Sequence, residues 1–156
     1  MKRSVFNAVL AAAFILVGGL AMTASAQSVS GLLPAVQKGK PTRATVYLKL
    51  PGGTHANSNR PGNEYQIPTL VKASSTRGVK VSAVTYPRGT NRKFAFTETP
   101  INVYQGSVPF RFSVTVPATY SAKTVTVNVS VRYQACTEEV CYPPKTKTLT
   151  LTANVQ

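Results

Sequence analysis

Apolar residues recur at every second position over most of the chain beyond residue 43. In residues 108–116, for example, Val and Phe alternate with Pro, Arg, Ser and Thr. This period of two positions places alternate side chains on opposite faces of a β-strand, whereas an amphipathic helix repeats every 3.6 positions. The strands predicted from the pattern span residues 44–50, 69–74, 79–84, 108–116, 125–133 and 149–155.

Turn-forming residues separate these strands. Pro51-Gly52-Gly53 ends the first strand, and Arg77-Gly78 joins the second strand to the third. The polar stretch 57–63 and the segment that starts at Tyr86 are predicted loops, and Pro109 indicates an edge or the start of a strand. About seven or eight short strands with such turns predict an all-β fold, an immunoglobulin-like two-sheet antiparallel sandwich, with a barrel as the second choice.

The N-terminal segment has the pattern of an export signal. Lys2 and Arg3 precede an apolar run over residues 8–22, and small residues ending at Ala26 form a cleavage site. The run is shorter than the roughly 20 apolar residues that cross a bilayer. We therefore expect cleavage after Ala26 and a periplasmic mature chain, residues 27–156, that forms one domain without stable membrane insertion.

The chain is strongly basic. Its formal net charge is +14, and all four of its acidic residues are Glu. The basic residues are dispersed and no stacking aromatic motif accompanies them, so nucleic acid is not an expected partner. We interpret the charge as a solvated, self-repelling surface, and the alternative is attraction to anionic envelope components or acidic proteins.

A single His and the absence of Asp leave few catalytic arrangements. A Ser-His-Asp triad lacks its acid, and the neighbours Glu138 and Glu139 would point to opposite sides of an extended chain rather than form a glycosidase pair. A closed zinc or copper site would need His55 together with both cysteines from a distant loop. We therefore expect no metal or organic cofactor, and interpret His55 as an ordinary packed or surface histidine beside a turn.

Cys136 and Cys141 lie at the tip of the predicted final hairpin. Facing positions on antiparallel strands are about 5 Å apart, which allows a disulfide. In an oxidising compartment the default interpretation is a structural staple. A loop this short, however, removes only about 2 kcal/mol of unfolded-state entropy, and a turn leaves sulfur where an incoming thiolate can attack. At this point stapling and disulfide exchange are equally supported.

The segment around the cysteines carries a family resemblance. Residues 133–148, Tyr-Gln-Ala-Cys-Thr-Glu-Glu-Val-Cys-Tyr-Pro-Pro-Lys-Thr-Lys-Thr, closely resemble the active-site stretch of the N-terminal periplasmic domain of the thiol:disulfide interchange protein DsbD. Weaker similarity extends upstream, in the order that this family shows, through Gly53-Thr54-His55, Pro68-Thr69, Tyr86-Pro87 and residues 103–106. The resemblance covers most of the chain after residue 26 and favours exchange over stapling.

The resemblance implies an immunoglobulin-like sandwich in an electron relay. Such a domain takes electrons from a membrane-spanning relay through a thioredoxin-like domain and passes them to periplasmic disulfide isomerases or similar clients. Cys136 and Cys141 match the redox pair, with Cys141 forming the mixed disulfide with the partner and Cys136 resolving it. The platform around the pair would consist of Tyr133, Gln134, Tyr142 and Pro143.

The resemblance also implies a mobile cap with an aromatic ring over the disulfide. The corresponding region is residues 92–99, where Phe94 or Phe96 is the candidate ring. An equally supported alternative is that both are ordinary core residues on one strand face. Glu138 and Glu139 lie beside the sulfurs, and we expect their negative charge to disfavour the Cys141 thiolate until a partner docks.

The sequence as given contains neither the membrane-spanning relay nor the thioredoxin-like domain of the family. We therefore expect a monomeric exported domain with a separate electron donor, and transient mixed disulfides with thioredoxin-like redox proteins or disulfide isomerases. The leading interpretation is disulfide exchange through Cys136 and Cys141 without a cofactor. The alternative is a non-enzymatic adhesion or binding sandwich with a structural hairpin disulfide and a basic surface.

Overall fold

A computed structural model describes residues 27–62 and 64–156. The expected export signal, residues 1–26, lies outside these described residues. Within them the chain forms eleven β-strands and no helix, and therefore no helix that could cross a membrane. The strands are β1 (Ser28–Leu32), β2 (Pro41–Lys49), β3 (His55–Asn57), β4 (Leu70–Ser75), β5 (Lys80–Val81), β6 (Thr90–Arg92), β7 (Ile101–Gln105), β8 (Ser107–Thr115), β9 (Thr124–Tyr133), β10 (Ala135–Cys136) and β11 (Lys145–Asn154).

The strands form three sheets, with the orders β1-β2-β8-β5, β10-β3-β7-β6 and β11-β9-β4. The pairings between these strands are antiparallel. The prediction of an all-β, immunoglobulin-like antiparallel sandwich is confirmed. There are more strands than predicted, partly because β6 and β10 have only two or three residues each, too few to show an alternating pattern. The strand predicted over residues 79–84 is shorter than expected and comprises only β5, Lys80–Val81.

The predicted turns and the position of the strand proline agree with the structure. Gly53 and Gly78 have φ angles of 74°, and Arg77 has a φ of 56°, values that a tight turn requires. Pro109 lies opposite Tyr47 of β2, at the end of β8 that β5 does not reach. The missing N–H of this proline therefore leaves no sheet hydrogen bond unmade.

The main core lies between the inward faces of the longest strands. Val46 of β2, Phe110 of β8 and Val127 of β9 are each 0% exposed. Burying a side chain of this size contributes about 1.5–3 kcal/mol. The intervening positions of β9 are mostly exposed, which is the half-buried strand pattern expected from the sequence.

The sheet that contains β10 has two differently covered faces. Ala56 of β3, Tyr104 of β7 and Ala135 of β10 lie side by side and pack into the main core. The adjacent positions point the other way, because side chains alternate along a strand. His55 and Cys136, which are paired positions of β3 and β10, therefore share the outer face of this sheet.

A second, smaller group of apolar side chains covers this outer face. This outer cluster consists of Phe94, Ile101 and Val103. Ile101 and Val103 belong to β7, whereas Phe94 belongs to residues 93–100, the connection between β6 and β7 that we call the covering segment. The residues on the outer face are thus shielded from solvent by a local connection and not by the main core.

Candidate functional site

The cysteines lie in the connection between the two longest strands, β9 and β11, but this connection contributes β10 to a different sheet. β9 and β11 pair along their whole lengths. The connection between them, residues 134–144, leaves that sheet, and its residues Ala135 and Cys136 pair with Ala56 and His55 of β3. The cysteines do lie between the last two long strands, as predicted. The pairing of this connection with β3 was not predicted.

Cys136 and Cys141 are joined by a disulfide, as the sequence allowed. Their Cα atoms are 4.0 Å apart, and their backbones form an isolated antiparallel bridge. Hydrogen bonds hold the turn between them. The N–H of Thr137 donates to the Val140 carbonyl oxygen at 2.8 Å, and the N–H of Tyr142 donates to the backbone of β10 at 2.9 Å.

The two cysteines differ in burial. Cys136 is 0% exposed, whereas Cys141 is exposed at the surface. The residues on either side of Cys141 are also accessible, with exposed fractions of 49% for Val140 and 45% for Tyr142. An incoming thiolate therefore approaches the disulfide most easily at Cys141, because attack requires access to a sulfur atom.

Of the four expected platform residues, Tyr142 and Pro143 are exposed and Gln134 is half-buried. Gln134 donates through Nε2 to the Tyr142 carbonyl oxygen at 3.1 Å and accepts from Asn57 Nδ2 at 3.5 Å. Tyr133 differs from this expectation, because it is fully buried in the main core. Burial raises the pKa of Tyr133, so its hydroxyl stays neutral.

The covering segment places one aromatic ring over the outer face. Phe94 is 3% exposed and stacks on His55, with ring centroids 4.1 Å apart and an angle of 16° between the rings. Phe96 stacks on Phe94 at 5.3 Å and is 42% exposed. The alternative of a shared core strand face is wrong, because the Thr97 N–H closes a turn onto the Phe94 carbonyl oxygen at 3.1 Å. Of the two phenylalanines, Phe94 is the one whose ring packs on His55.

Arg92 links the covering segment to the cysteine turn. Its Nη2 atom lies 3.1 Å from Oε1 of Glu138, and its guanidinium carbon lies 5.1 Å from the centroid of the Phe94 ring. Both charged side chains are partly exposed, so this ion pair contributes at most about 1 kcal/mol. It nevertheless offsets part of the negative charge that Glu138 places near the sulfurs, an effect that the sequence did not reveal.

His55 is a packed histidine, but its location beside the disulfide was not expected. It is 1% exposed and lies opposite Cys136. Burial lowers the pKa of His55, while nearby Glu138 raises it and Arg92 lowers it. The ring is therefore neutral near pH 7. Within residues 27–62 and 64–156, no group of three or more His, Cys, Asp or Glu side chains lies together as a metal site.

We expect the free energy of unfolding to decrease as the pH falls below about 6.5. The unfolded chain protonates His55 near its ordinary pKa of 6.5, whereas the fold keeps the ring neutral to lower pH, so acid favours the unfolded state. The loss is at most about 1.4 kcal/mol for each pH unit between the two pKa values. Urea unfolding at about pH 7.5 and about pH 5.5 measures it. An equal pH dependence in His55→Phe, which lacks the single histidine, would contradict this assignment.

The family described as "Thiol:disulfide interchange protein DsbD, N-terminal" matches this sequence over residues 29–153. The chain belongs to that family. A curated relative, the thiol:disulfide interchange protein DsbD of Actinobacillus pleuropneumoniae serotype 5b (strain L20), is 48% identical over 42 residues. That stretch covers 27% of this chain and 7% of the relative, so the chain corresponds to a small part of that protein.

Two solved structures also match the chain. The N-terminal periplasmic domain of ScsB from Proteus mirabilis has a TM-score of 0.56 at 15% identity, over 79% of this chain and 44% of that one. The N-terminal domain of Neisseria meningitidis DsbD in the reduced form has a TM-score of 0.45 at 17% identity, over 72% of this chain and 82% of that one. The ScsB match supports a shared fold. Membership of the DsbD N-terminal family and the bonded cysteine pair together support thiol–disulfide exchange as the general chemistry.

Proposed function

We propose that the chain is a periplasmic domain that passes reducing equivalents between a redox donor and client proteins through Cys136 and Cys141. The observation that carries the proposal is the unequal burial of two bonded cysteines in a member of the DsbD N-terminal family. A disulfide that only stabilises the fold does not need one solvent-exposed cysteine. Exchange needs one sulfur that a partner can reach and a second sulfur held beside it.

The proposed reaction has two thiolate attacks. Reduced Cys141 attacks a client disulfide, forms a mixed disulfide and releases the first client thiol. Cys136 then attacks the sulfur of Cys141, closes the intramolecular disulfide and releases the second client thiol. A redox donor regenerates the dithiol by the same steps in reverse. The exposure of Cys141 and the burial of Cys136 support these roles, and the cycle needs no metal or organic cofactor.

The covering segment acts as the cap in this proposal. Phe94 packs over the outer face, and Arg92 contacts Glu138 of the cysteine turn, so covering the face and positioning the turn are coupled. A docking partner reaches exposed Cys141 directly, and displacement of Phe94 uncovers the outer face on which buried Cys136 lies. The segment is held through Phe94 in a small apolar cluster, and the adjacent ion pair of Arg92 with Glu138 is partly exposed; a protein interface can replace both contacts.

The partners that fit this chemistry are thioredoxin-like redox proteins or disulfide isomerases, which form transient mixed disulfides. The export signal over residues 1–26 directs the chain to the periplasm in this proposal, and the domain works there as a monomer. Exposed Val140 and Tyr142 beside Cys141 offer apolar contact area to such a partner.

The reduction potential of the cysteine pair tests the proposed function. Equilibration with glutathione or dithiothreitol buffers, followed by alkylation and mass spectrometry, measures it. A value above about −300 mV is expected, because structural disulfides commonly lie below that value. A lower value would instead favour the alternative, an adhesion or binding sandwich in which the disulfide only holds the turn.

The carboxylates of the cysteine turn are predicted to slow reduced Cys141. A negative charge about 6 Å from a thiolate in water costs about 0.7 kcal/mol, or roughly threefold in rate. The double variant Glu138→Gln, Glu139→Gln should therefore react faster than the parent with a small-molecule disulfide. The single variants separate the two charges, since Glu138 is paired with Arg92. If the double variant reacts no faster, the carboxylates do not restrain Cys141.

A further inference from the structure

His55 is a buried imidazole without a hydrogen-bond partner. Its exposed fraction is 1%, and neither Nδ1 nor Nε2 has a partner among the residues that the structure describes. Buried polar groups are nearly always paired, because an unpaired group loses its hydration without compensation. An imidazole left in this state beside a reactive centre therefore requires an explanation.

The imidazole and the Cys136 side chain face each other across two strands. His55 and Cys136 are paired positions of β3 and β10. Such positions have Cβ atoms about 4.5–5.5 Å apart and side chains on one face of the sheet. Phe94 stacks on the face of the imidazole at 4.1 Å, which leaves the ring edge, where both nitrogens lie, free of that contact. Neither ring nitrogen bonds the sulfur in the disulfide form. The contact proposed below therefore forms once Cys136 is reduced, between side chains at neighbouring positions of one face.

The resolving step requires a base at this location. Cys136 attacks only as a thiolate, but it is fully buried, and a thiolate in apolar surroundings loses its hydration. The outer cluster above it is apolar. Glu138 is exposed and held by Arg92 at 3.1 Å. Among the described residues of the outer face, His55 is the side chain that can accept a proton at neutral pH.

We propose that His55 is the proton acceptor for Cys136 in the resolving step, an inference that rests on the proposed exchange function. In the mixed disulfide, the neutral imidazole takes the proton of the Cys136 thiol. The thiolate forms the bond to Cys141, the bond between Cys141 and the client breaks, and the electron pair leaves on the client sulfur. The imidazolium then gives its proton to that client thiolate, so protons and electrons balance without an external oxidant.

The charged surroundings of His55 suit a base that accepts and then releases a proton. Glu138, after β10, favours the protonated ring, and Arg92, at the end of β6, disfavours it. The covering segment adds Lys93 and Glu98, which are both exposed, and β7 presents no charged side chain on this face. Burial keeps the resting ring neutral and ready to accept the proton.

The test follows the two steps separately with the reduced full chain and dithiobis-nitrobenzoate as the disulfide. Attack by Cys141 releases one coloured thiolate, and attack by Cys136 releases the second. His55→Phe keeps a ring for stacking on Phe94 and removes the base. We expect its second release to be about a hundredfold slower near neutral pH, with the first release changed by less than about twofold. The second release should then rise about tenfold per pH unit, whereas the parent levels off once the imidazole is neutral.

Two further variants complete the test. Cys136→Ala should release one equivalent only, which assigns the two phases. His55→Ala should regain the second release when imidazole is added, a result that a purely structural role would not give. An unchanged second phase in His55→Phe, or equal slowing of both phases, would overturn the proposal. A parent chain that releases no coloured thiolate would instead contradict the exchange function itself.

Discussion

Replacing Cys136 with alanine is expected to convert a transient mixed disulfide into a stable one at Cys141. The variant can still attack a client disulfide, but it has lost the buried thiol that would resolve the product. After reduction, the chain is incubated with a thioredoxin-like protein or disulfide isomerase whose second active-site cysteine is replaced and whose first is activated as a mixed disulfide with thionitrobenzoate, so that the client has no thiol of its own to reverse the reaction. The covalent complex should rise from undetectable in the parent to nearly stoichiometric. Non-reducing electrophoresis and mass spectrometry of the linked peptides measure this.

Cys141→Ala is the matched control for that experiment. It removes the same disulfide and leaves one thiol, but Cys136 is fully buried. We therefore expect at least about tenfold less complex than with Cys136→Ala, because attack depends on access as well as on the thiolate. Equal trapping by both variants would contradict the assignment of roles, and the absence of any complex with Cys136→Ala would contradict exchange with these partners.

Replacing Phe94 with alanine is expected to accelerate reduction of the disulfide by a small thiol such as glutathione by at least about tenfold, because it opens the outer face, where buried Cys136 lies, to attack in addition to exposed Cys141. Truncation of a buried phenylalanine typically costs about 3–5 kcal/mol. Here it destabilises the conformation in which the segment covers the outer face. Only about 1.4 kcal/mol of that loss is needed for a tenfold change. Timed alkylation and mass spectrometry give the reduction rate.

Phe96→Ala is the control for the covering segment. Phe96 is 42% exposed and touches the site only through Phe94, so its removal should change the rate by less than about twofold. Urea unfolding should show that Phe94→Ala retains the main core, because Phe94 belongs to the separate outer cluster. If the disulfide of Phe94→Ala is also reduced at the rate of the parent, the covering segment does not restrict access to the disulfide.

The long strands could be predicted because each buries one face and exposes the other. The pattern in residues 108–116 corresponds to β8, Ser107–Thr115, within one residue at each end. β3 could not be found this way, because His55–Asn57 are buried on both faces and show no alternation. β1 was missed for the opposite reason, since four of the five positions of Ser28–Leu32 are exposed.

The candidate site was predictable only in part. Spacing and family resemblance indicated that Cys136 and Cys141 are bonded and lie at a turn, and the disulfide is present. The position of His55 beside Cys136 depends on the pairing of β3 with β10, which joins distant parts of the sequence. The contact of Arg92 with Glu138 likewise depends on tertiary packing. No local pattern of residue types encodes either contact.

The location of Cys136 outside the main core affects how well the fold survives repeated oxidation and reduction. Cys136 belongs to a two-residue strand and lies outside the main core, so breaking its bond leaves the packing between the large sheets in place. The bond closes a loop with a sequence separation of 5, which restricts the unfolded chain by only about 2 kcal/mol. Because this restriction acts on the unfolded chain, the oxidised and reduced forms should unfold at similar rates, although losing the bond shifts the folding equilibrium by about thirtyfold towards the unfolded state. Each redox cycle then requires rearrangement only around the cysteine turn, and the main core stays packed from one partner to the next.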